Sequence, residues 1–107
     1  MSKETTLDSG LKPRTVEAIN GVFTRHPEVE RAILYGSRAK GNYRNGSDID
    51  LTLDGPDLNL GLLFSIENEL DDLLLPYKID LSIRRHISNP DLLDHINRVG
   101  KVFYSCE

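Results

Sequence analysis

The sequence predicts an α/β (α+β) domain in which a small mixed β-sheet carries helices packed against it. Three features point there. Two stretches alternate apolar and polar residues with period two, and one short apolar run reads as a buried strand. Amphipathic stripes at helical spacing lie before, between and after them. A chain of 107 residues suits a single domain with one modest core. Its 38% hydrophobic and 28% charged residues match soluble globular proteins and exclude wholesale disorder.

Residues 1–10 are polar and are expected to form a flexible N-terminus, leaving 11–107 as the folded domain. From Pro13 to about Arg25, Val16, Ile19, Val22 and Phe23 share one helical face, with Pro13 in the first turn and Pro27 beyond the end. Val29 to Tyr35 reads as a central strand, because Ala32-Ile33-Leu34-Tyr35 leaves no polar face. Gly36 breaks it. Residues 37–41 are expected to form a short helical turn, and Asn42 to Ser47 a loop with Asn45-Gly46 at its return.

Asp48 to Leu53 is the first alternating strand: Ile49, Leu51 and Leu53 face one way, Asp48, Asp50 and Thr52 the other. Asp54 to Asp57 is a turn, with Asp57 as the expected cap of a helix from Leu58 to about Leu75 that Pro76 stops. Tyr77 to Ile83 alternates again, with Ile79, Leu81 and Ile83 inward and Lys78, Asp80 and Ser82 outward. Asn89-Pro90-Asp91 starts a last helix that Gly100 ends, and Lys101 to Tyr104 is a candidate edge strand. The Asn-Gly return permits antiparallel pairing of the first two strands. The long helix permits a parallel crossover to the third.

Charge and cysteine content narrow the function classes. The net charge of -4 gives no overall electrostatic footprint for nucleic acid, so none is expected as a partner. No apolar run reaches the roughly 20 residues of a membrane helix, and no hydrophobic leader is present, so the expected location is the cytoplasm and no membrane partner is expected. The single cysteine, Cys106, allows no internal disulfide and no cysteine-based zinc cluster. Against this acidic background, Arg38, Lys40 and Arg44 form a local basic cluster beside a carboxylate pair.

That juxtaposition carries the chemistry. A strand running into Gly36-Ser37 and a short helical turn offers backbone N–H groups and the Ser37 hydroxyl to a phosphate. Asp48 and Asp50, two apart on a strand, project from one face with backbones roughly 6.5–7 Å apart and can share a divalent cation. Asp80 is the candidate third acid, because its strand has the same inward–outward phase and a neighbouring strand lies about 4.8 Å away. Hard oxygen ligands without cysteine or clustered histidine favour Mg2+ or Mn2+ over zinc. His26, His86 and His95 have no metal-ligand spacing to one another, and Tyr43 in the loop is a candidate for stacking on a base.

Gly36-Ser37-Arg38-Ala39-Lys40-Gly41 followed by Ser47-Asp48-Ile49-Asp50-Leu51 resembles the signature of the DNA polymerase β-like nucleotidyltransferase superfamily. Within it the chain is similar to the minimal nucleotidyltransferases, or MNT proteins. The likeness covers nearly the whole chain, including Gly10-Leu11, Pro27-Glu28-Val29 and Asp80-Leu81. It implies a polymerase β palm-like fold for residues 11–107 and transfer of a nucleoside monophosphate, AMP from ATP, to a hydroxyl. Carried over by position, Asp48, Asp50 and Asp80 would bind the metal and act in catalysis. Gly36 and Ser37 would hold the triphosphate, with Arg38 and Lys40 neutralising phosphates. The resemblance also implies a partner, a helical HEPN toxin that the MNT protein adenylylates as its antitoxin within a hetero- or homo-oligomer. Two other readings are an antitoxin that acts by complex formation alone and a small-molecule (antibiotic) nucleotidyltransferase.

Overall fold

In the computed structural model, residues 9–106 are described. Pro13–Thr24 form α1, Arg31–Tyr35 β1, Ser37–Lys40 α2, Ile49–Asp54 β2 and Leu60–Asp71 α3. Ile79–Ile83 form β3, Pro90–Val99 α4 and Lys101–Ser105 β4, with a 3-10 turn at Arg84–His86 after β3. The four strands make one mixed sheet in the order β3-β2-β1-β4, antiparallel at β1–β2 and β1–β4 and parallel at β2–β3. The expected fold class is the one observed.

Strand parity divides the sheet into two faces. Ala32 and Leu34 of β1, Ile49, Leu51 and Leu53 of β2, and Leu81 and Ile83 of β3 join Ile19, Val22 and Phe23 of α1 and Leu63, Ile66 and Leu70 of α3 in the main core. The opposite face carries Ile33 and Tyr35, which pack with Ile96 and Leu92 of α4. β2 and β3 present Asp50, Thr52, Asp80 and Ser82 on that second face, aligned across the ladder as Asp50 with Asp80 and Thr52 with Ser82. The Ser82 hydroxyl donates to Thr52 Oγ1 at 2.9 Å, which satisfies a threonine with no exposed surface.

α4 therefore lies beside the acidic row rather than over it. Its start is fixed by Asn89, whose Oδ1 accepts from the N–H groups of Asp91 and Leu92. Its end is set by Gly100.

Of the flexible N-terminus expected over residues 1–10, residues 1–8 lie outside the described residues, and Ser9 is 1% exposed. Two other expectations change. α3 is shorter than 58–75: the chain leaves it through single turns at Leu73 and Leu74, and Leu74 adopts a left-handed φ of 55°. Its cap is Asn59 rather than Asp57, with Asn59 Oδ1 accepting from Leu62 N–H at 2.9 Å. Leu58 and Leu63, the two positions of a hydrophobic staple around that cap, are both buried in the main core. Leu58 thus needs to precede the cap, which Asp57 as cap would not allow.

His26 joins two helices. Its Nε2 lies 2.5 Å from Glu69 Oε2, and Arg25 reaches Glu69 Oε1, tying the end of α1 to α3. Asn59→Ala is expected to destabilise the protein by about 1 kcal/mol in urea or thermal unfolding, whereas Asp57→Ala should stay within about 0.5 kcal/mol of wild type.

Candidate active site

The site forms where β1 stops and β2 and β3 start. Gly36 has φ 74° and ψ -156°, a conformation that L side chains rarely adopt, and it turns the chain out of β1 into α2. A second constraint acts on the same residue. A Cβ added at Gly36 would collide with Oδ2 of Asp50, so the glycine is what lets the carboxylate lie against the turn. The Gly36 carbonyl accepts from the Ala39 and Lys40 N–H groups, and its own N–H donates to His95 Nε2 at 3.1 Å. The next two N–H groups, of Ser37 and Arg38, open α2 in positions that have no acceptor inside a helix.

β-pairing aligns the acids. Tyr35 of β1, Asp50 of β2 and Asp80 of β3 form one row across three strands, and Asp48 lies one step before β2. Asp48 and Asp80 are exposed and Asp50 is half-buried. Burial pushes the Asp50 carboxyl above the ordinary carboxylate range, and the charges of Asp80 and then Asp48 push it further. Tyr35 is raised by burial first and also feels Asp80 and Asp50. Three carboxylates that repel one another at one end of a sheet are the donor set that a hard divalent cation fits.

Among the described residues, no three acidic, cysteine or histidine side chains are already drawn together closely enough to enclose a metal ion. The two observations are compatible. Register and parity bring the acids to one face, while their mutual repulsion opposes convergence, and a cation would reverse that balance.

The basic residues separate. Lys40 and Arg44 are exposed. Arg38 is not, and the expectation that it neutralises phosphates is corrected. It is 2% exposed, and its guanidinium donates to the carbonyls of Ser9 (2.8 Å), Ser47 (3.1 Å) and Asn45 (3.3 Å). Its Cζ also lies 5.2 Å from the ring centroid of Tyr43 and 5.0 Å from that of Tyr77. Arg38 therefore pins the loop that delivers Asp48. Tyr43 faces Arg38 and packs so closely on Gly10 that a Cβ there would strike its ring, so it belongs to this clamp. Asp54, set aside in the sequence as a turn residue, is bound by Arg84 through both oxygens and by Arg31.

Two residues on this face had no sequence signal as site residues: His95, and Tyr35 beneath the acids. The only sequence trace of His95 is helical phase, which puts it next to Ile96 in α4.

Comparison with known proteins follows the same residues. The family described as polymerase beta, nucleotidyltransferase matches residues 17–107. The chain belongs to this nucleotidyltransferase family. No curated protein matches it in sequence. Its fold is that of a toxin–antitoxin crystal structure with AMP-PNP, at TM-score 0.67 and 20% identity over 91% of this chain and 76% of that one. It is also that of a structure of a tri-AMPylated HEPN toxin from Shewanella oneidensis in complex with MNT antitoxin, at TM-score 0.65 and 18% identity over 89% and 73% of the two chains. A putative nucleotidyltransferase from Sulfolobus solfataricus is similar at TM-score 0.53 and 17% identity, covering 96% of this chain and 91% of that one. The fold expected of an MNT-type nucleotidyltransferase is therefore observed.

The raised Asp50 carboxyl has a sign that can be tested. A group whose folded pKa exceeds its unfolded one favours the folded state only while protonated, so stability falls as pH rises from the ordinary value of 3.8 through the raised one. At pH 7 the ionised Asp50 opposes folding. Asp50→Asn should thus melt a few degrees higher than wild type at pH 7 without divalent cation, and the gap should close below pH 3.8, read by thermal unfolding.

Proposed function

We propose that the chain is a metal-dependent nucleotidyltransferase that moves AMP from ATP to a hydroxyl on a helical HEPN-family protein and thereby acts as its antitoxin. The observation that carries this is the alignment of Asp50 with Asp80, beside Asp48 and against the Gly36-Ser37 turn. Support for the partner and the nucleotide comes from the similar folds: one relative was crystallised with AMP-PNP, and another in complex with a tri-AMPylated HEPN toxin.

In this reading Asp48, Asp50 and Asp80 hold Mg2+ or Mn2+. Bound there, such a cation would supply charge neutralisation for the triphosphate. The protein groups do the rest by positioning. The Ser37 hydroxyl and the Ser37 and Arg38 N–H groups donate to phosphate oxygens, and Lys40 balances the remaining charge from its exposed position. The acceptor oxygen forms a new bond to the α-phosphorus as the bond to pyrophosphate breaks. Its proton leaves to a carboxylate, for which Asp80 is the accessible candidate, on a strand at the sheet edge. A protein acceptor suits this geometry, because Asp48 and Asp80 are both exposed and α4 walls only the β1 side.

Incubation with α-labelled ATP, Mg2+ and the candidate partner should label the partner. Asp48→Ala and Asp50→Ala should lower that transfer about a thousandfold, the scale of several kcal/mol of lost charge stabilisation. Absence of label on any partner, with both variants still neutralising the toxin, would instead establish complex formation as the mode of action.

A further inference from the structure

We infer that His95 is a positioning residue for the nucleotide: its imidazole holds the Gly36 amide and thereby sets the direction of the phosphate-binding turn. The inference rests on the nucleotidyl-transfer reading and assigns a role to a residue outside the recognised motif.

Gly36 needs an external partner because its own conformation gives no guidance. Its φ of 74° lies where a side chain is disfavoured, and its Cα must stay bare under the Asp50 carboxylate. What remains to fix its peptide planes is hydrogen bonding. The carbonyl side is held by the Ala39 and Lys40 N–H groups at 3.2 and 3.0 Å. The N–H side is held by His95 Nε2 at 3.1 Å, from an element 59 positions away in sequence. To accept that bond Nε2 must be unprotonated, so the neutral ring carries its proton on Nδ1.

The imidazole is itself fixed. It meets the Tyr35 ring edge-on, with centroids 6.1 Å apart and planes at 80°. The next residue, Ile96, is 2% exposed and packs with Ile33 and Tyr35. α4 is thus anchored to β1 by apolar contact, and His95 converts that anchorage into a fixed acceptor. With the Gly36 amide committed to His95, the donors left to the phosphate are the Ser37 and Arg38 N–H groups and the Ser37 hydroxyl. Their direction follows from the peptide that His95 holds. Losing the acceptor would leave the Gly36 N–H without its partner and let the turn swing. The cost falls on nucleotide binding rather than on the acids that act in transfer.

Two variants separate this role from a packing role. His95→Leu fills the space and removes the acceptor; His95→Gln restores an acceptor oxygen. Titration with a non-hydrolysable ATP analogue and Mg2+ should give a Kd about tenfold weaker for His95→Leu, the scale of one hydrogen bond, and close to wild type for His95→Gln. In the transfer reaction, His95→Leu should raise KM for ATP with kcat changed less than about twofold, as for an interaction made equally in ground and transition states. By NMR, the wild-type Gly36 amide should exchange slowly and the His95→Leu amide faster, with Nε2 giving the 15N shift of an unprotonated nitrogen.

Equal Kd in wild type and His95→Leu, a loss confined to kcat, or a folded His95→Gln no better than His95→Leu overturns the inference alone. If His95→Leu does not fold, the wild-type spectrum decides, since a protonated Nε2 or a rapidly exchanging Gly36 amide also overturns it. A wild-type protein that binds no nucleotide overturns the nucleotidyl-transfer reading, and this role with it.

Discussion

The Asp50 carboxylate, half-buried against Gly36 and repelled by Asp80 and Asp48, is the constraint on which the rest of the site depends. For it to lie there, β1 must end in a residue without a side chain. β2 must keep the parity that sends Ile49 and Leu51 into the main core and Asp50 to the other face. β3 must pair in parallel, in the register that sets Asp80 opposite Asp50, which requires α3 as the crossover between them. A one-residue slip of β2 or β3 would invert every side chain on the strand, burying an acid and exposing a core leucine or isoleucine. The hydrophobic core therefore specifies the position of the acids. That is how a small fold sustains a cluster of like charges that, without a cation, works against it.

A second charge, equally embedded, has the opposite function. Arg38 is buried with no carboxylate partner among the described residues. Its guanidinium is satisfied by three backbone carbonyls and two tyrosine rings. Arginine suits this, because a planar fork of five donors can address several carbonyls at once while its faces lie against rings. The carbonyls belong to Ser9, Asn45 and Ser47, so one side chain joins the start of the described chain to both the tip and the end of the loop before Asp48. The basic residue nearest the Gly36-Ser37 turn in sequence thus serves the scaffold, whereas Lys40 is exposed.

Local sequence carried the parts of this arrangement that depend on periodicity. Strand parity alone put Asp48, Asp50 and Asp80 on one face, and the apolar run at Ala32–Tyr35 identified the central position of β1. What could not be read locally depends on contacts between distant segments. Arg38 looked like a phosphate ligand because its burial comes from Ser9 and Tyr77, far away in the chain. His95 looked inert because its partner is a backbone N–H on another element. The cap of α3 was misassigned because a staple pair, Leu58 and Leu63, outweighs the equal capping preference of Asp57 and Asn59.

We propose that the acids at the mouth of β2 and β3 hold a divalent cation and, through it, the nucleotide, and equilibrium binding tests this directly. A non-hydrolysable ATP analogue is titrated into the protein with Mg2+, with Mn2+ and with chelator, for wild type, Asp50→Asn and Asp80→Asn. The carboxylate arrangement predicts binding by wild type only when a divalent cation is present, and loss of that cation dependence in both variants. Wild-type binding that is unchanged in chelator, or retained with the same cation dependence in Asp50→Asn and Asp80→Asn, would contradict it.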